Sequence, residues 1–198
     1  GEDVRRVNLD TVTRAETATW QAGETLLLSG HLLTGRDAAH KRLVDLIAQD
    51  APLPVDFRDR FIYYVGPVDP VGDEVIGPAG PTTATRMDKF TRTLLEHTGL
   101  LGMIGKAERG PVAVDAIRDL GAVSLIAVGG AAYLIARAIT KSTRLAFEDL
   151  GMEAIYEFEV KDMPVTVSVD SRGESVHVTG PEIWAREIGN RIAAATVE

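Results

Sequence analysis

Uninterrupted apolar runs are the first regular feature of the chain. Residues 24–35, "ETLLLSGHLLTG", and residues 122–130, "AVSLIAVGG", are largely apolar, and each runs into a glycine. Short apolar segments bounded by glycine are typical of strands buried on both faces. The aromatic and β-branched segment 60–67 and the shorter segment 100–106 have the same character. We therefore predict a buried strand at each of these segments.

Segments whose apolar residues have helical spacing lie between these predicted strands. Residues 36–51 carry apolar side chains three and four positions apart, and Thr34 followed by Asp37 predicts a capping box at their start. Residues 110–121 have proline in the first turn and glycine just past the end, as helices often do. The other predicted helices span 82–97 and 131–139. Alternation of strand and helix over 100–140 is typical of parallel strands joined by crossover helices.

The last third of the chain has a different period. Residues 152–160 and 164–170 alternate between apolar and polar in steps of two, which predicts half-buried strands. We predict a third short strand at 175–180 and a C-terminal helix from Pro181. These strands would form an antiparallel meander. The sequence as a whole predicts an α/β domain with a mixed sheet flanked by helices.

The N-terminal segment differs from the rest in its polarity. Residues 1–22 are polar, with a short helical stretch at 14–20, and we predict a linker or lead-in there. Residues 23–198 would then form the domain itself. The first residue is glycine rather than methionine, which favours a domain cut from a longer protein.

The net charge of the chain limits the kinds of partner that it can bind. The 198 residues carry a net charge of −8, which argues against nucleic acid and anionic membranes, since both attract basic surfaces. Small anionic substrates stay open, because a few local arginines can override the overall sign. The sequence has no signal peptide and no apolar run near the roughly 18–20 residues of a membrane span, so we expect a cytoplasmic protein.

The chain contains no cysteine. It therefore cannot form a disulfide, a cysteine-type zinc site or the ligands of an iron–sulfur cluster. Its histidines are scattered and do not match the spacing of a metal motif, so we expect no metal site within this chain.

A loop rich in glycine and proline precedes Thr82 and Arg86, the most distinctive polar pair in the sequence. The stretch "GPAGPTTATRMDKF" at 77–90 crowds glycine and proline before a predicted helix, so residues 66–81 should form a long loop of fixed shape. Thr82 and Arg86 are four positions apart and would share a helix face. A helix start attracts anions, and an arginine one turn later can bind a carboxylate there. The alternative is that Thr82 or Thr83 only caps the helix and Arg86 is solvated.

Two further cationic residues, Arg36 and Lys106, lie at the ends of predicted helices or strands. Arg36 opens a predicted helix, where a positive charge opposes the helix dipole, and such positions tend to be functional or compensated. The alternative for Arg36 is a salt bridge to Asp37 or another neighbour. Lys106 follows a buried strand and can reach into a cleft or simply extend to water. For His40, in the same helix as Arg36, we expect a packing or capping role.

Taken together, the motifs resemble those of one family. Residues 22–178 contain, in this order, "LTGRDAAHKRL", "IYYVGPVDP", "GPAGPTTATRMDKF", "MIGKAERG", "AVGGAAYL" and "LGMEAIYEFEVKDMPVTVSVDSRG". This set resembles the C-terminal, or beta, region of class I fumarate hydratases and the beta subunit of L-tartrate dehydratase. The phrases "GPVDP" and "GPTTATRMD" resemble the single-chain fumarases more than the separate tartrate dehydratase subunits.

The resemblance implies an iron–sulfur hydro-lyase that adds or removes water across a dicarboxylate. A cluster-bearing N-terminal (alpha) domain outside this chain would bind a [4Fe-4S] cluster through three cysteines, with an open iron position acting as a Lewis acid. This chain would be a swivelling β/β/α domain, and the enzyme a homodimer. By itself the chain is expected to be inactive.

The resemblance also implies residue roles. Thr82 matches the threonine implicated in proton transfer, and Arg36, Arg86 and Lys106 match the substrate-binding cations. The function that we expect is the substrate-binding half of a fumarate hydratase of the tricarboxylic acid cycle, which interconverts fumarate and (S)-malate. A component of an L-tartrate dehydratase and a non-catalytic anion-binding domain are the alternatives.

Overall fold

The computed structural model describes residues 4–66, 80–81, 84–106, 109–127 and 136–176. They form an α/β domain in which helices pack on a mixed sheet. The strands are β1 (Val4–Asn8), β2 (Thr25–Thr34), β3 (Phe61–Tyr63), β4 (Val65–Gly66), β5 (Gly80–Pro81), β6 (Gly102–Gly105), β7 (Val123–Ile126), β8 (Ile139–Ala146) and β9 (Ile155–Val169). The α-helices are α1 (Arg14–Thr17), α2 (Asp37–Ala48), α3 (Asp88–Thr98) and α4 (Pro111–Leu120), and 3₁₀ turns span Ala84–Met87 and Glu148–Glu153.

The main sheet closes on itself. Its order is β1-β2-β3-β6-β7-β9-β8, and β9 also pairs with β2, so that β2, β3, β6, β7 and β9 form a closed barrel of five strands. The neighbours β2, β3, β6 and β7 run parallel, whereas β9 is antiparallel to both β2 and β7. The chain segments that follow the parallel strands therefore emerge at one edge of the barrel.

Two apolar clusters hold the layers together. Alternate residues of β3 belong to different clusters. Phe61 and Tyr63 belong to a cluster built mostly from strand residues that face the barrel interior. Ile62 belongs to a second cluster, which includes Leu43 of α2 and Ile117 of α4. The helices thus cover the outer face of the parallel strands, and their packing fixes where each helix begins.

The predicted buried strands are confirmed as β2, β3, β6 and β7. The helix predicted at 110–121 is also confirmed: α4 has Pro111 in its first turn and ends at Gly121, whose φ of 67° is the left-handed conformation that glycine adopts freely. The α/β class with a mixed sheet is confirmed by the same pairings.

The prediction of two strands at 152–160 and 164–170 is wrong in one respect. A single strand, β9, runs through both segments because β2 pairs with it on either side of Asp162. The strand β8 was missed, since its residues are mostly polar and it is identified by its antiparallel pairing with β9. Most of the helix predicted at 131–139, most of the strand predicted at 175–180 and the helix from Pro181 lie outside the described residues.

Much of the segment predicted as a linker or lead-in, residues 1–22, is part of the domain. Residues Val4–Asn8 form β1, which pairs in parallel with the first half of β2. The Trp20 side chain is completely buried and lies 6.0 Å from the Phe61 ring, centroid to centroid. From Val4 onward the N-terminal segment thus contributes both a strand and core residues.

Candidate functional site

The first turn of α2 carries the predicted cation Arg36. Arg36 is the N-cap residue, in an extended conformation, and its side chain makes no capping hydrogen bond. The capping box predicted from Thr34 is wrong, because Thr34 ends β2 and its Oγ1 accepts a hydrogen bond from the Tyr156 N–H at 3.1 Å. The Arg36 Nε is buried and has no hydrogen-bond partner in the part of the chain that the structure describes. A donor in that state is available to an acceptor that is not part of the described chain.

Arg86 meets the same turn from another element. Its Nη2 donates to the Asp37 Oδ2 at 2.7 Å, across 49 positions of sequence. The salt bridge considered for Arg36 with Asp37 is thus taken by Arg86. The contact brings the 3₁₀ turn Ala84–Met87 against the start of α2, so the segments that carry the two arginines are adjacent.

Lys106 lies beside that 3₁₀ turn. The Ala84 N–H donates to the Lys106 carbonyl at 2.7 Å, and the Lys106 side chain is exposed. Gly105 makes this approach feasible, because a Cβ there would lie 2.9 Å from the Ala84 Cβ and 2.9 Å from the Tyr64 Cδ2. The structure therefore brings together the backbone segments of Arg36, Arg86 and Lys106, at the edge where the parallel strands β2 and β6 end.

Thr82 lies outside the described residues, so its position relative to these cations stays a prediction. Within the described part of the helix predicted at 82–97, residues Ala84–Met87 form a 3₁₀ turn and Asp88–Thr98 form α3.

A buried arginine that the sequence analysis did not single out fixes the surroundings of this site. The Arg109 side chain is 0% exposed, and its Nε donates to the Asp88 Oδ1 at 2.8 Å. Its Nη2 donates to the Thr91 Oγ1 at 2.6 Å, and the other Asp88 oxygen accepts from the Gly110 N–H at 2.7 Å. Because Asp88 begins α3 and Gly110 caps α4, this network joins the starts of two helices.

The same arginine affects a neighbouring phenol. The Arg109 guanidinium lies 5.4 Å from the Tyr64 ring centroid, within the range of a cation–π contact. Burial raises the pKa of Tyr64, and the positive charge of Arg109 opposes that change. Tyr64 is therefore a packed side chain that keeps its proton.

His40 anchors Arg36 through the backbone. Its Nδ1 lies 2.9 Å from the Arg36 carbonyl oxygen, and its ring packs against Tyr64 and Phe90 at centroid distances of 5.3 Å and 5.7 Å. Burial lowers the pKa of His40 from its ordinary value of 6.5 to about 4, while the hydrogen bond to Arg36 acts in the opposite direction. The neutral ring donates through Nδ1, and its buried Nε2 has no partner among the residues that the structure describes. These contacts support the packing role predicted for His40.

The depressed pKa of His40 makes stability depend on pH. Between pH 6.5 and about 4 the unfolded chain binds a proton at His40 that the folded chain does not, so the free energy of unfolding falls as the pH is lowered through this range. At about 1.4 kcal/mol per pH unit, this contribution amounts to about 3 kcal/mol. We expect His40→Asn, which keeps a donor but does not titrate, to remove it. Urea unfolding from pH 7.5 down to about 4.5 would measure the effect.

His97→Asn is the matched control for this experiment, because His97 is an exposed residue of α3. Its replacement should leave the pH dependence of the wild-type chain in place. An acid slope that stays the same in His40→Asn would contradict the assignment to His40.

Two surface clefts differ in their relation to the predicted site. A cleft of about 520 Å³ lined by His31 and Arg60, among others, contains none of the predicted site residues. Two polar pairs in its wall are already formed: His31 Nδ1 lies 3.0 Å from an Asp10 oxygen, and Arg60 donates to Glu157 at 2.6 Å. A second cleft, of about 430 Å³, has Arg86 in its wall. Of these two clefts among the described residues, the second one therefore adjoins a residue of the predicted site.

Neither a metal-binding group nor a membrane-spanning helix is found among the described residues. In the part of the chain that the structure describes, no group of three or more His, Cys, Asp or Glu side chains could hold a metal ion. Among the same residues, no helix combines the length and the hydropathy that crossing a bilayer requires.

Fold and site together define an α/β domain with a closed mixed barrel and a cationic edge at the ends of its parallel strands. Residues 1–180 match the family model described as Fumarase C-terminus, and the chain belongs to that family. The recognition made from the motifs is thereby confirmed.

Individual relatives give the same result. The chain is 36% identical over 160 residues to "Fumarate hydratase class I, anaerobic" of Escherichia coli K12, and 33% identical over 165 residues to "Fumarate hydratase 2" of Leishmania major. These matches cover 80% and 83% of the chain but 29% of each relative. It is also 31% identical to "Putative L(+)-tartrate dehydratase subunit beta" of Methanocaldococcus jannaschii, over 84% of the chain and 88% of that protein. The chain thus spans less than a third of the fumarate hydratases that it resembles.

Proposed function

We propose that this chain is the substrate-binding half of a hydro-lyase that interconverts fumarate and (S)-malate. The observation that carries the proposal is the 2.7 Å contact of Arg86 with Asp37, which joins the turn of Arg86 to the turn that begins at Arg36. The backbone of Lys106 adjoins the same turn. This gathering of cations in a chain with a net charge of −8 suits a small dianion, and relatives named as fumarate hydratases support that choice.

The arginines would bind the substrate carboxylates. Arginine presents several N–H donors in a planar fork that matches a carboxylate, and Arg86 uses one of them on Asp37. Arg36 has a buried Nε that no described residue pairs with. Lys106 would add a point charge from the end of β6. Carboxyl ends of parallel strands are a common place for such ligands in α/β proteins.

Thr82 would move the proton. Removing a proton from the malate carbon next to a carboxylate shifts negative charge onto the carboxylate oxygens, and fixed cations stabilise that charge. The same cations favour the ionised form of a nearby hydroxyl, which makes Thr82 a competent base. As the proton leaves, the C–O bond of the adjacent carbon would break to form the double bond of fumarate, and its hydroxyl would depart on the side of the cluster-bearing domain. In the opposite direction Thr82 returns the proton as that domain supplies the hydroxyl of water to fumarate.

The [4Fe-4S] cluster that the resemblance implies does not fit the residues of this chain. The sequence has no cysteine to supply a thiolate. We propose that the cluster ligands belong to a separate cluster-bearing domain, in keeping with the 29% share of the fumarate hydratases that this chain covers. Swivelling of this domain against the cluster-bearing one, and assembly as a homodimer, are parts of the same proposal.

An assay of the separated parts tests the split site. We expect the chain alone to leave the fumarate absorbance unchanged, because it lacks the groups of the cluster-bearing domain. The complete enzyme should hydrate fumarate under the same conditions. Turnover by the isolated chain would contradict the proposal, and the circular dichroism spectrum of the chain would establish that the sample was folded.

A second candidate is the beta component of an L-tartrate dehydratase. The observation that favours it is the match to 88% of the tartrate dehydratase subunit of M. jannaschii, a protein of similar length. Comparing kcat/KM for malate and L-tartrate in the complete enzyme separates the two candidates. A preference for tartrate would replace fumarate hydration as the assigned reaction.

A further inference from the structure

Asp37 connects the two arginines of the proposed site. It occupies the first position of α2, directly after Arg36, and its Oδ2 accepts from the Arg86 Nη2 at 2.7 Å. Its other oxygen, Oδ1, is buried and has no hydrogen-bond partner among the described residues. One carboxylate oxygen is thus committed to Arg86, while the other is shielded from water.

Stability alone does not account for this arrangement. The side chains of Asp37 and Arg86 are 35% and 55% exposed, and pairs with that exposure contribute on the order of 0–1 kcal/mol. The buried, unpartnered oxygen costs free energy, because a carboxylate oxygen without water or a donor loses its solvation. Because the Asp37–Arg86 pair adds little stability and leaves a costly buried oxygen, it is better explained by its effect on the position of Arg86.

Geometry indicates what Asp37 holds. The helix dipole stabilises a carboxylate in the first turn of α2, so Asp37 is a fixed anion at a fixed point of the backbone. Glu153 accepts from the Ala38 N–H at 3.4 Å and packs against the same turn. A guanidinium that donates one N–H to this anion has its plane oriented, and its remaining donors are directed elsewhere.

We propose that Asp37 is a positioning residue that orients the Arg86 guanidinium relative to Arg36 for binding of the substrate dicarboxylate. This rests on the proposed function of Arg86. Asp37 itself does not bind the dianion, because like charges repel. Its contribution is to hold the second arginine at a set distance from the first, which selects a molecule with two carboxylates.

A double-mutant cycle in the complete enzyme tests the inference. Asp37→Asn keeps the shape and an oxygen acceptor but removes the charge that orients Arg86. We expect kcat/KM for fumarate to fall by about 10- to 100-fold, mainly through KM. In an Arg86→Met background, Asp37→Asn should cause little further loss. Asp45→Asn, at an exposed position of the same helix, is the matched control and should leave kcat/KM unchanged.

The outcomes separate the inference from the function on which it rests. A normal kcat/KM in Arg86→Met would contradict the proposed function. A defective Arg86→Met with a normal Asp37→Asn would contradict the positioning role alone, and so would full, multiplicative losses in the double variant. Asp37→Ser, a smaller replacement, repeats the test if Asp37→Asn perturbs folding, which unfolding curves would detect.

Discussion

Asp88→Ala is expected to lower the free energy of unfolding by about 3–5 kcal/mol, because it leaves the charge of Arg109 buried and unpaired. The Arg109 side chain has 0% exposure, so its charge depends on protein partners rather than on bulk water. The Gly110 N–H loses its acceptor in the same variant. Urea unfolding followed by circular dichroism would measure the change.

Two comparisons make this prediction specific. Asp115→Ala breaks an exposed Arg–Asp pair with Arg118 and should cost less than about 1 kcal/mol. Combining Asp88→Asn with Arg109→Met removes both charges, so that the double variant should be more stable than Asp88→Ala. A loss in Asp88→Ala no larger than in Asp115→Ala would mean that the buried pair does not hold the helix starts together.

Removal of the Thr82 hydroxyl is expected to have the largest effect on turnover. In the complete enzyme, Thr82→Val keeps the shape of the side chain and should lower kcat by about 10²–10⁴, the usual contribution of a proton-transfer group. KM for fumarate should change much less, since the proposed substrate contacts of Arg36 and Arg86 remain. Steady-state assays of malate dehydration and fumarate hydration would measure both constants.

Neighbouring variants decide whether the hydroxyl itself matters. Thr82→Ser retains a hydroxyl and should keep a large part of the wild-type kcat, whereas Thr83→Val alters the next residue and should have a much smaller effect. If Thr82 only caps the helix, Thr82→Val leaves kcat close to wild type. That result would favour the non-catalytic, anion-binding alternative.

Several elements were predictable because their determinants are local. The apolar run that forms β2 and the Pro111 and Gly121 boundaries of α4 follow from short-range sequence rules. In contrast, β8 has a mostly polar sequence and is a strand only because β9 pairs with it. The continuity of β9 through Asp162 likewise depends on its long pairing with β2.

The residues of the candidate site also differ in whether the sequence could predict them. Arg36 stood out because a cation at a helix start opposes the helix dipole, and the structure places it at the N-cap of α2. Asp88 and Arg109 had no such signal, because each looks like an ordinary charged residue until the fold brings them within 2.8 Å. A sequence pattern cannot report a pair whose distance is set by how α3 and α4 pack.

By itself, the sequence determined the α/β class and the family and singled out the candidate cations, because periodicity, turn residues and motifs are written in short stretches of chain. Only the tertiary structure decided that the barrel closes through β9, that Arg86 pairs with Asp37 and that Arg109 is buried against Asp88. The physical reason is that these contacts join residues far apart in sequence, and their geometry depends on how the helices pack on the barrel.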